Sequence, residues 1–309
     1  MKQEGYILTN TSTKNVTTKM YWLQAITPLH VGAGKGVGFI DMPIMREKVT
    51  TWPFVPGSAV KGVLRDYFTQ YAKQEKSLID GLIDAAFGQA GTDIESNAGS
   101  LVLTDAHIVC MPVRSLYGTF AYVTSPLVLE RLKRDLSVTG AETLPEIPTP
   151  SDHVAFHAPG SVINSGTKVF LEDLDLDAKP DGEKTGEWAK KLSGILFPDP
   201  EWQKIFQERF AIVPDNCFTF LAEHGTDVAA RVRINDERKI VEKGALWYEE
   251  SLPSEAILAG IAWCDRIYGG KEITQDTILT TFCQNDLDLQ IGGKANVGKG
   301  RVRCRFTRG

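Results

Sequence analysis

A chain of 309 residues that is 42% hydrophobic and 24% charged can bury the core of one large domain or two modest ones. Its formal net charge of -5 argues against indiscriminate nucleic-acid binding and leaves the placement of the cations to decide whether a polyanion site exists. No apolar run approaches the roughly 20 residues of a membrane span, the opening residues lack a signal peptide's apolar centre, and the five cysteines lack CxxC spacing, so cytoplasm and reduced thiols are expected.

Residues 1–19 are polar and rich in Thr and Asn, and read as an extension ahead of a first strand, MYWLQAITPLH, that opens at Met20. A glycine-rich loop follows, PLHVGAGKGVGFIDMPIMRE, which encloses a single aspartate, Asp41. Val60, Val63, Leu64, Tyr67, Phe68 and Tyr71 then recur at helical spacing and predict an amphipathic helix capped by Ser58. A second helical pattern runs through Leu78, Leu82, Ile83 and Phe87, and SLVLTDAHIVC reads as one strand. Ser125 and Pro126 open a further helix that Gly140 closes.

The stretch 141–166, with LPEIPTPSD inside it, is too proline-rich for regular structure and predicts a lid-like surface insertion. KVFLEDLDLD is strand-like, and helices are expected around Trp188 to Phe197 and Trp202 to Phe210. Two β-prone arms about the polar INDER turn predict a hairpin over about 226–250. A buried strand EAILAGIAWCD, a helix through Ile278, Leu279 and Phe282, and the strands DLDLQI and RVRCRF complete the chain. This alternation fits an α+β fold with a ferredoxin-like core and helical insertions, 20–309 forming one domain.

The cations are unevenly placed. Between Gly292 and Gly309 there are six, Lys294, Lys299, Arg301, Arg303, Arg305 and Arg308, and no acid. Strand alternation points Arg301, Arg303 and Arg305 one way and Val302, Cys304 and Phe306 the other, so a charged edge strand and a phosphate-binding face are both open readings. The adjoining GKANVGKG nearly spells a P-loop, but Gly300 replaces the metal-binding hydroxyl and too few residues follow to build a helix. Val37 likewise breaks the dinucleotide fingerprint begun by Gly32 and Gly34.

A second anion site is expected at the helix N-terminus, where Gly57 and Ser58 precede Lys61 and Arg65. The hairpin adds Arg231, Arg233, Arg238, Lys239 and Lys243 beside Trp247 and Tyr248, a combination suited to stacked bases and phosphates. His153 and His157 have metal-like spacing, but FHAPG breaks any helix and no third ligand is evident, so zinc is not expected.

Taken in order, PLHVGAGKGVGFIDMPIMRE, WPFVPGSAVKGVLR, KGALWYEESLP and GGKANVGKGRVR resemble the RAMP-superfamily (Cas7-like) backbone subunits of type III-B CRISPR effectors, the family of the fourth Cmr-complex subunit. The resemblance runs from about Met20 to the end and implies an RRM-like palm, a β-hairpin thumb, and copies stacked in a filament on guide RNA (crRNA) with other Cmr subunits. It implies an endoribonuclease that cuts complementary single-stranded target RNA at regular intervals. Asp41 matches the family's catalytic loop acid and His30 its nearby histidine. Ser58, Lys61 and Arg65 match the guide-backbone helix, residues 293–303 the glycine-rich RNA loop, and Tyr248, Glu249 and Glu250 the thumb base.

On this reading Arg46, Tyr248 and Glu249 assist Asp41. Gly34, Ser58, Lys61, Arg65, Arg231, Arg233, Lys294, Asn296, Lys299, Arg301 and Arg303 contact RNA. A divalent ion, magnesium or manganese, is held loosely at Asp41. Cutting RNA needs a 2′-hydroxyl in line with its own phosphate, and a carboxylate near that hydroxyl can act as base or metal ligand. The competing readings are a non-catalytic RNA-binding scaffold and a nuclease that processes the guide's precursor, for which histidine or lysine acid–base residues are expected. Two features depart from the family pattern: the polar residues before Met20 and Lys35 of the GKGVG run.

Overall fold

The computed structural model describes residues 18–34, 36, 38–75, 81–89, 97–141, 143–181, 183–235, 237, 241–267, 273–284 and 286–308. Lys35, Arg238, Lys239, the side chain of Lys243 and most of the N-terminal extension lie outside the described residues. The first elements are β1 (Thr18–Ala25), β2 (Phe54–Val55), α1 (Gly57–Glu75), α2 (Leu82–Phe87), β3 (Gly88–Gln89) and β4 (Asn97–Ala98). Then come β5 (Leu101–Leu103), β6 (Ala106–Arg114), β7 (Phe120–Thr124), α3 (Pro126–Val138), β8 (Val154–His157), β9 (Asn164–Ser165), β10 (Lys168–Leu171) and β11 (Leu174–Pro180). They are followed by α4 (Lys184–Leu196), α5 (Pro200–Arg209), β12 (Phe210–Ile212), α6 (Asp215–His224), β13 (Asp227–Ile234) and β14 (Val241–Ser251). The last are β15 (Ile257–Cys264), α7 (Gln275–Phe282), β16 (Leu287–Gln290) and β17 (Arg301–Thr307).

One mixed sheet organises the chain, with path β16-β17-β1-β15-β6-β7-β12-β8-β11-β10-β9. Along β17-β1-β15-β6 every neighbour is antiparallel, whereas β12 runs parallel to β7 and β11 parallel to β8. Because strand side chains alternate, β1 feeds two cores. Tyr21 and Leu23 pack with Val60 and Leu64 of α1 and Leu279 of α7, while Met20 and Trp22 pack with Leu129 of α3 and Trp188 and Leu192 of α4. A strand buried on both faces reads as an apolar run, as Met20 to Leu23 do at the centre of β1.

The differences from expectation have local causes. Helix α1 starts at Gly57, with Ser58 in its first turn and exposed. The Gly57 N–H donates to Asp105 Oδ1 at 2.8 Å, and a Cβ at 57 would sit 2.3 Å from the Leu103 carbonyl oxygen, so only glycine fits. That use of Asp105 interrupts the expected single strand over SLVLTDAHIVC, leaving β5 and β6 on either side of Thr104 and Asp105. The helix opened by Ser125 forms as expected, with the Ser125 hydroxyl accepting from the Val128 N–H.

Of the expected 141–166 insertion, the described residues are irregular up to a turn after Ser151 and again between β8 and β9. Val154 to His157 then enter the main sheet as β8, because Val154 and Ala155 have apolar partners to meet there. KVFLEDLDLD is a hairpin of β10 and β11 turning at Glu172, whose φ is 49°. Strand β7 and helix α6 are additional elements, the latter burying Phe218, Leu221 and Ala222. The expected hairpin over 226–250 forms as β13 and β14, a two-stranded sheet separate from the main one. No described helix is long and apolar enough to cross a membrane.

Candidate functional site

The 28–47 loop is held between the root of the β13–β14 hairpin and the turn from β16 to β17. Leu29 and Leu252 exchange backbone hydrogen bonds of 2.8 and 2.9 Å, and the N–H groups of Gly293 and Gly300 donate to the carbonyls of His30 and Pro28, each at 2.9 Å. Gly292 makes this approach possible: its φ is +80° and a Cβ there would lie 2.2 Å from the His30 carbonyl oxygen. Further along, the Met42 N–H donates to the Tyr248 carbonyl at 3.1 Å and the Glu250 N–H to the Met42 carbonyl at 3.0 Å. The loop thus runs as a short parallel bridge beside β14.

This pairing places Asp41. Its side chain is exposed, and Oδ2 accepts a 2.8 Å hydrogen bond from the Tyr248 N–H. Among the described residues no other group bonds to its carboxylate, so one oxygen is held in position and the other has no described partner. His30 is buried, with Nδ1 2.6 Å from the Glu250 carbonyl oxygen. A carbonyl only accepts, so Nδ1 carries a proton, while Nε2 lies on the side of Gly32.

Glu250 is the hub beneath the loop. Its Oε1 takes the Arg46 guanidinium at 2.6 Å and the Thr226 hydroxyl at 2.9 Å, while Oε2 accepts from the Ile44 N–H at 2.9 Å. Arg46 also donates to the carbonyls of Thr51 (2.8 Å) and Ala222 (3.0 Å), so this guanidinium ties loop, hairpin root and α6 together. Sequence reasoning placed Glu250 only in a motif. The signal available was its position two residues beyond Tyr248, on the same strand face as the anchor of Asp41.

Glu249, on the opposite strand face, is a buried counter-ion. Oε1 accepts from Trp247 Nε1 at 2.8 Å and from Lys294 Nζ at 2.7 Å, and Oε2 lies 3.4 Å from Arg231 Nε and 3.8 Å from Lys299 Nζ. Burial works to raise its carboxyl, but the bonds from Lys294 and Trp247 and the charges of Lys294 and Lys299 outweigh it and hold the pKa at about 2. Lys299 is buried too, donating to the Ser251 hydroxyl at 2.7 Å, and desolvation pulls its ammonium below the usual lysine range despite Glu249. Gly34 and Asn296 are exposed in their loops.

The remaining cations are spread more widely. Arg301 is exposed, Arg303 lies 3.9 Å from Asp288, and Arg305 pairs with Asp286 while donating to the Ile195 carbonyl at 2.7 Å. Arg233 lies 3.8 Å from Glu242. On α1, Lys61 donates to the Leu101 carbonyl at 2.7 Å, and burial lowers its pKa; Arg65 lies 3.9 Å from Asp84. No hydrogen bond or ion pair among the described residues joins Ser58, Lys61 or Arg65 to the Asp41 group. Among the described residues no group of three or more His, Cys, Asp or Glu is arranged to hold a metal ion.

Residues 22–303 match the RAMP superfamily. The chain is 36% identical to the "CRISPR system Cmr endoribonuclease Cmr4" of Pyrococcus furiosus over 91% of its length and 92% of the relative's. It is 21% identical to the Cmr4 subunit of Saccharolobus solfataricus, over 93% and 96% of the two chains. The crystal structure of oligomeric Cmr4 from Pyrococcus furiosus superposes with a TM-score of 0.70 at 29% identity, covering 94% of this chain and 98% of that one. The type III-B Cmr-beta complex bound to cognate target RNA contains a chain of the same fold, with a TM-score of 0.70 at 20% identity and coverage of 94% and 96%. With its family match spanning nearly the whole fold and a Cmr4 relative 36% identical over nine-tenths of both chains, this chain belongs to the RAMP superfamily and, within it, to the Cmr4 family.

Proposed function

We propose that this chain is an RNA-binding backbone subunit of a type III-B (Cmr) effector, and that it cuts complementary single-stranded target RNA at Asp41. In this reading copies of it line up along the guide RNA with other Cmr subunits. The antiparallel order β17-β1-β15-β6 supports treating those strands as a ferredoxin-like, RRM-like palm, with β13–β14 as its thumb. The relative named as a Cmr endoribonuclease supports the activity.

The observation that carries the cleavage reading is the Asp41 carboxylate, exposed and anchored through one oxygen to the Tyr248 N–H. Its free oxygen accepts the proton of a ribose 2′-hydroxyl. The 2′-oxygen attacks the adjacent phosphorus to form a 2′,3′-cyclic phosphate, and the bond to the 5′-oxygen of the next nucleotide breaks, that oxygen leaving as a hydroxyl with a proton taken from water. General-base help of this kind contributes roughly 10²–10⁴-fold. His30, through its bond to the Glu250 carbonyl, and Arg46, through Glu250, hold the loop in place rather than touching RNA. Lys294, Lys299 and Arg231 present positive charge around Glu249 at the thumb base, where a phosphate backbone is attracted.

Used as a ligand instead of as the base, the open Asp41 oxygen would hold a magnesium or manganese ion, for which one carboxylate beside RNA phosphate is the usual pattern. When bound, such an ion would add charge stabilisation at the reacting phosphate.

The test is a guide-loaded complex carrying wild-type chain or Asp41→Ala, incubated with labelled target RNA with and without magnesium. A regular ladder in wild type should fall at least roughly 100-fold in the variant while target binding persists. An undiminished ladder in the variant moves the chemistry elsewhere, and a wild-type complex that binds but does not cut makes the chain a scaffold.

A further inference from the structure

We propose that Phe39 and Tyr248 form a nucleobase platform beside Asp41, which receives the base of the nucleotide being cut and sets the base preference of cleavage. The proposal rests on the cleavage reading above. Phe39 is 72% exposed, yet its ring is not isolated: it stands edge-on to Tyr248, with centroids 6.0 Å apart and planes at 85°. Tyr248 is the residue whose N–H anchors the Asp41 carboxylate. Ring pair and carboxylate therefore share one residue and move together.

The hairpin continues the surface. Residues directly opposite in an antiparallel pair share a face, and the register sets Val228 opposite Glu250, Ala230 opposite Tyr248, and Val232 opposite Leu246. Val228, Val232 and Leu246 are all exposed, as is Met42 beside Asp41. Arg231, Trp247 and Glu249 occupy the other face. The hairpin is thus two-faced, with the Glu249 ion cluster on one side and, on the other, Tyr248, Ala230, Leu246 and Val232 running outward from Glu250 at its root.

A base is the occupant that fits this position. For Asp41 to take a proton from a 2′-hydroxyl, the ribose bearing it must sit at the carboxylate, and the base is one glycosidic bond from that ribose. Placing the 2′-oxygen in line with its phosphate takes the base out of its stack, so the base needs a new apolar surface. Every base has a π face that an exposed aromatic side chain can receive, and the larger purine gains more from it.

The experiment uses guide-loaded complexes of wild type, Phe39→Ala and Phe39→Trp with targets bearing A, G, C, U or an abasic ribose at the nucleotide contributing the 2′-hydroxyl of one cut. Phe39→Ala should slow that cut roughly tenfold on a purine, less on a pyrimidine and not at all on the abasic ribose, with target affinity unchanged. Phe39→Trp should restore the purine rate. Slowing that is equal on all five targets, or absent from all, overturns the platform while leaving Asp41 cleavage standing. Shorter assemblies with Phe39→Ala, read by native mass, would assign the surface to a neighbouring copy and also overturn it. A wild-type complex that binds target without cutting it removes the cleavage reading and the platform together.

Discussion

Adjacent glutamates at the base of the β13–β14 hairpin have different tasks because a strand points them to opposite faces. Glu250 satisfies the loop's backbone and Arg46, whereas Glu249 neutralises Lys294, with Arg231 and Lys299 close by. The pKa of Glu249, about 2 in the folded chain against the usual 4.5, has a thermodynamic consequence. A depressed carboxyl contributes stability that is complete above its unfolded value and is lost as pH falls toward the folded value. Between about pH 5 and about pH 3, Glu249→Gln should therefore lose less stability than wild type, while being less stable than wild type at neutral pH. Urea midpoints of the isolated chain across that range check this, and parallel curves for the two proteins would refute it.

At the scale of the element, helix α1 illustrates how a general rule is met by an unexpected partner. Helix N-termini attract anions, and the anion here is internal: Asp105 takes the Gly57 N–H at 2.8 Å. Asp105→Ala should cost about 1 kcal/mol, in the range for lost caps, as a shift in the unfolding midpoint. A variant as stable as wild type would show that the bond contributes nothing. Strand β17 shows the same economy. Its arginines alternate with buried Val302, Cys304 and Phe306 as the sequence suggests, but Asp286 of the preceding segment and Asp288 of β16 supply counter-charges close to Arg305 and Arg303.

At the scale of the whole molecule, the far end of the 28–47 loop is clamped to β6 and to α3. Glu47 receives both Arg131 nitrogens, at 2.7 and 2.9 Å, together with His107 of β6 and the Thr50 hydroxyl. Burial opposes ionisation of Glu47, but the bonds from His107, Arg131 and Thr50 prevail and keep its carboxyl well below the usual range. Arg131 in turn lies over the Trp52 ring at 5.7 Å. Arg131→Met removes the charge while keeping much of the bulk, and should lower stability by roughly 1.5–3 kcal/mol, the span for hydrogen bonds to charged groups. Thermal unfolding measures this; an unchanged midpoint would mean the clamp contributes nothing.

The sequence by itself determined the elements whose signals are local. The Ser125 and Pro126 helix start, the hairpin of β13 and β14 and the alternating Arg301 to Phe306 strand all form from residues near one another in the chain. The four ordered motifs made the family legible as well. Tertiary structure alone decided what each charged group is for, because partners far apart in sequence set those roles: Asp105 to Gly57, Glu250 to Arg46, Glu249 to Lys294, and Tyr248 to Asp41. It also placed Val154 to His157 in the sheet, since a short apolar run beside prolines becomes a strand only when neighbouring strands offer it hydrogen bonds and a core.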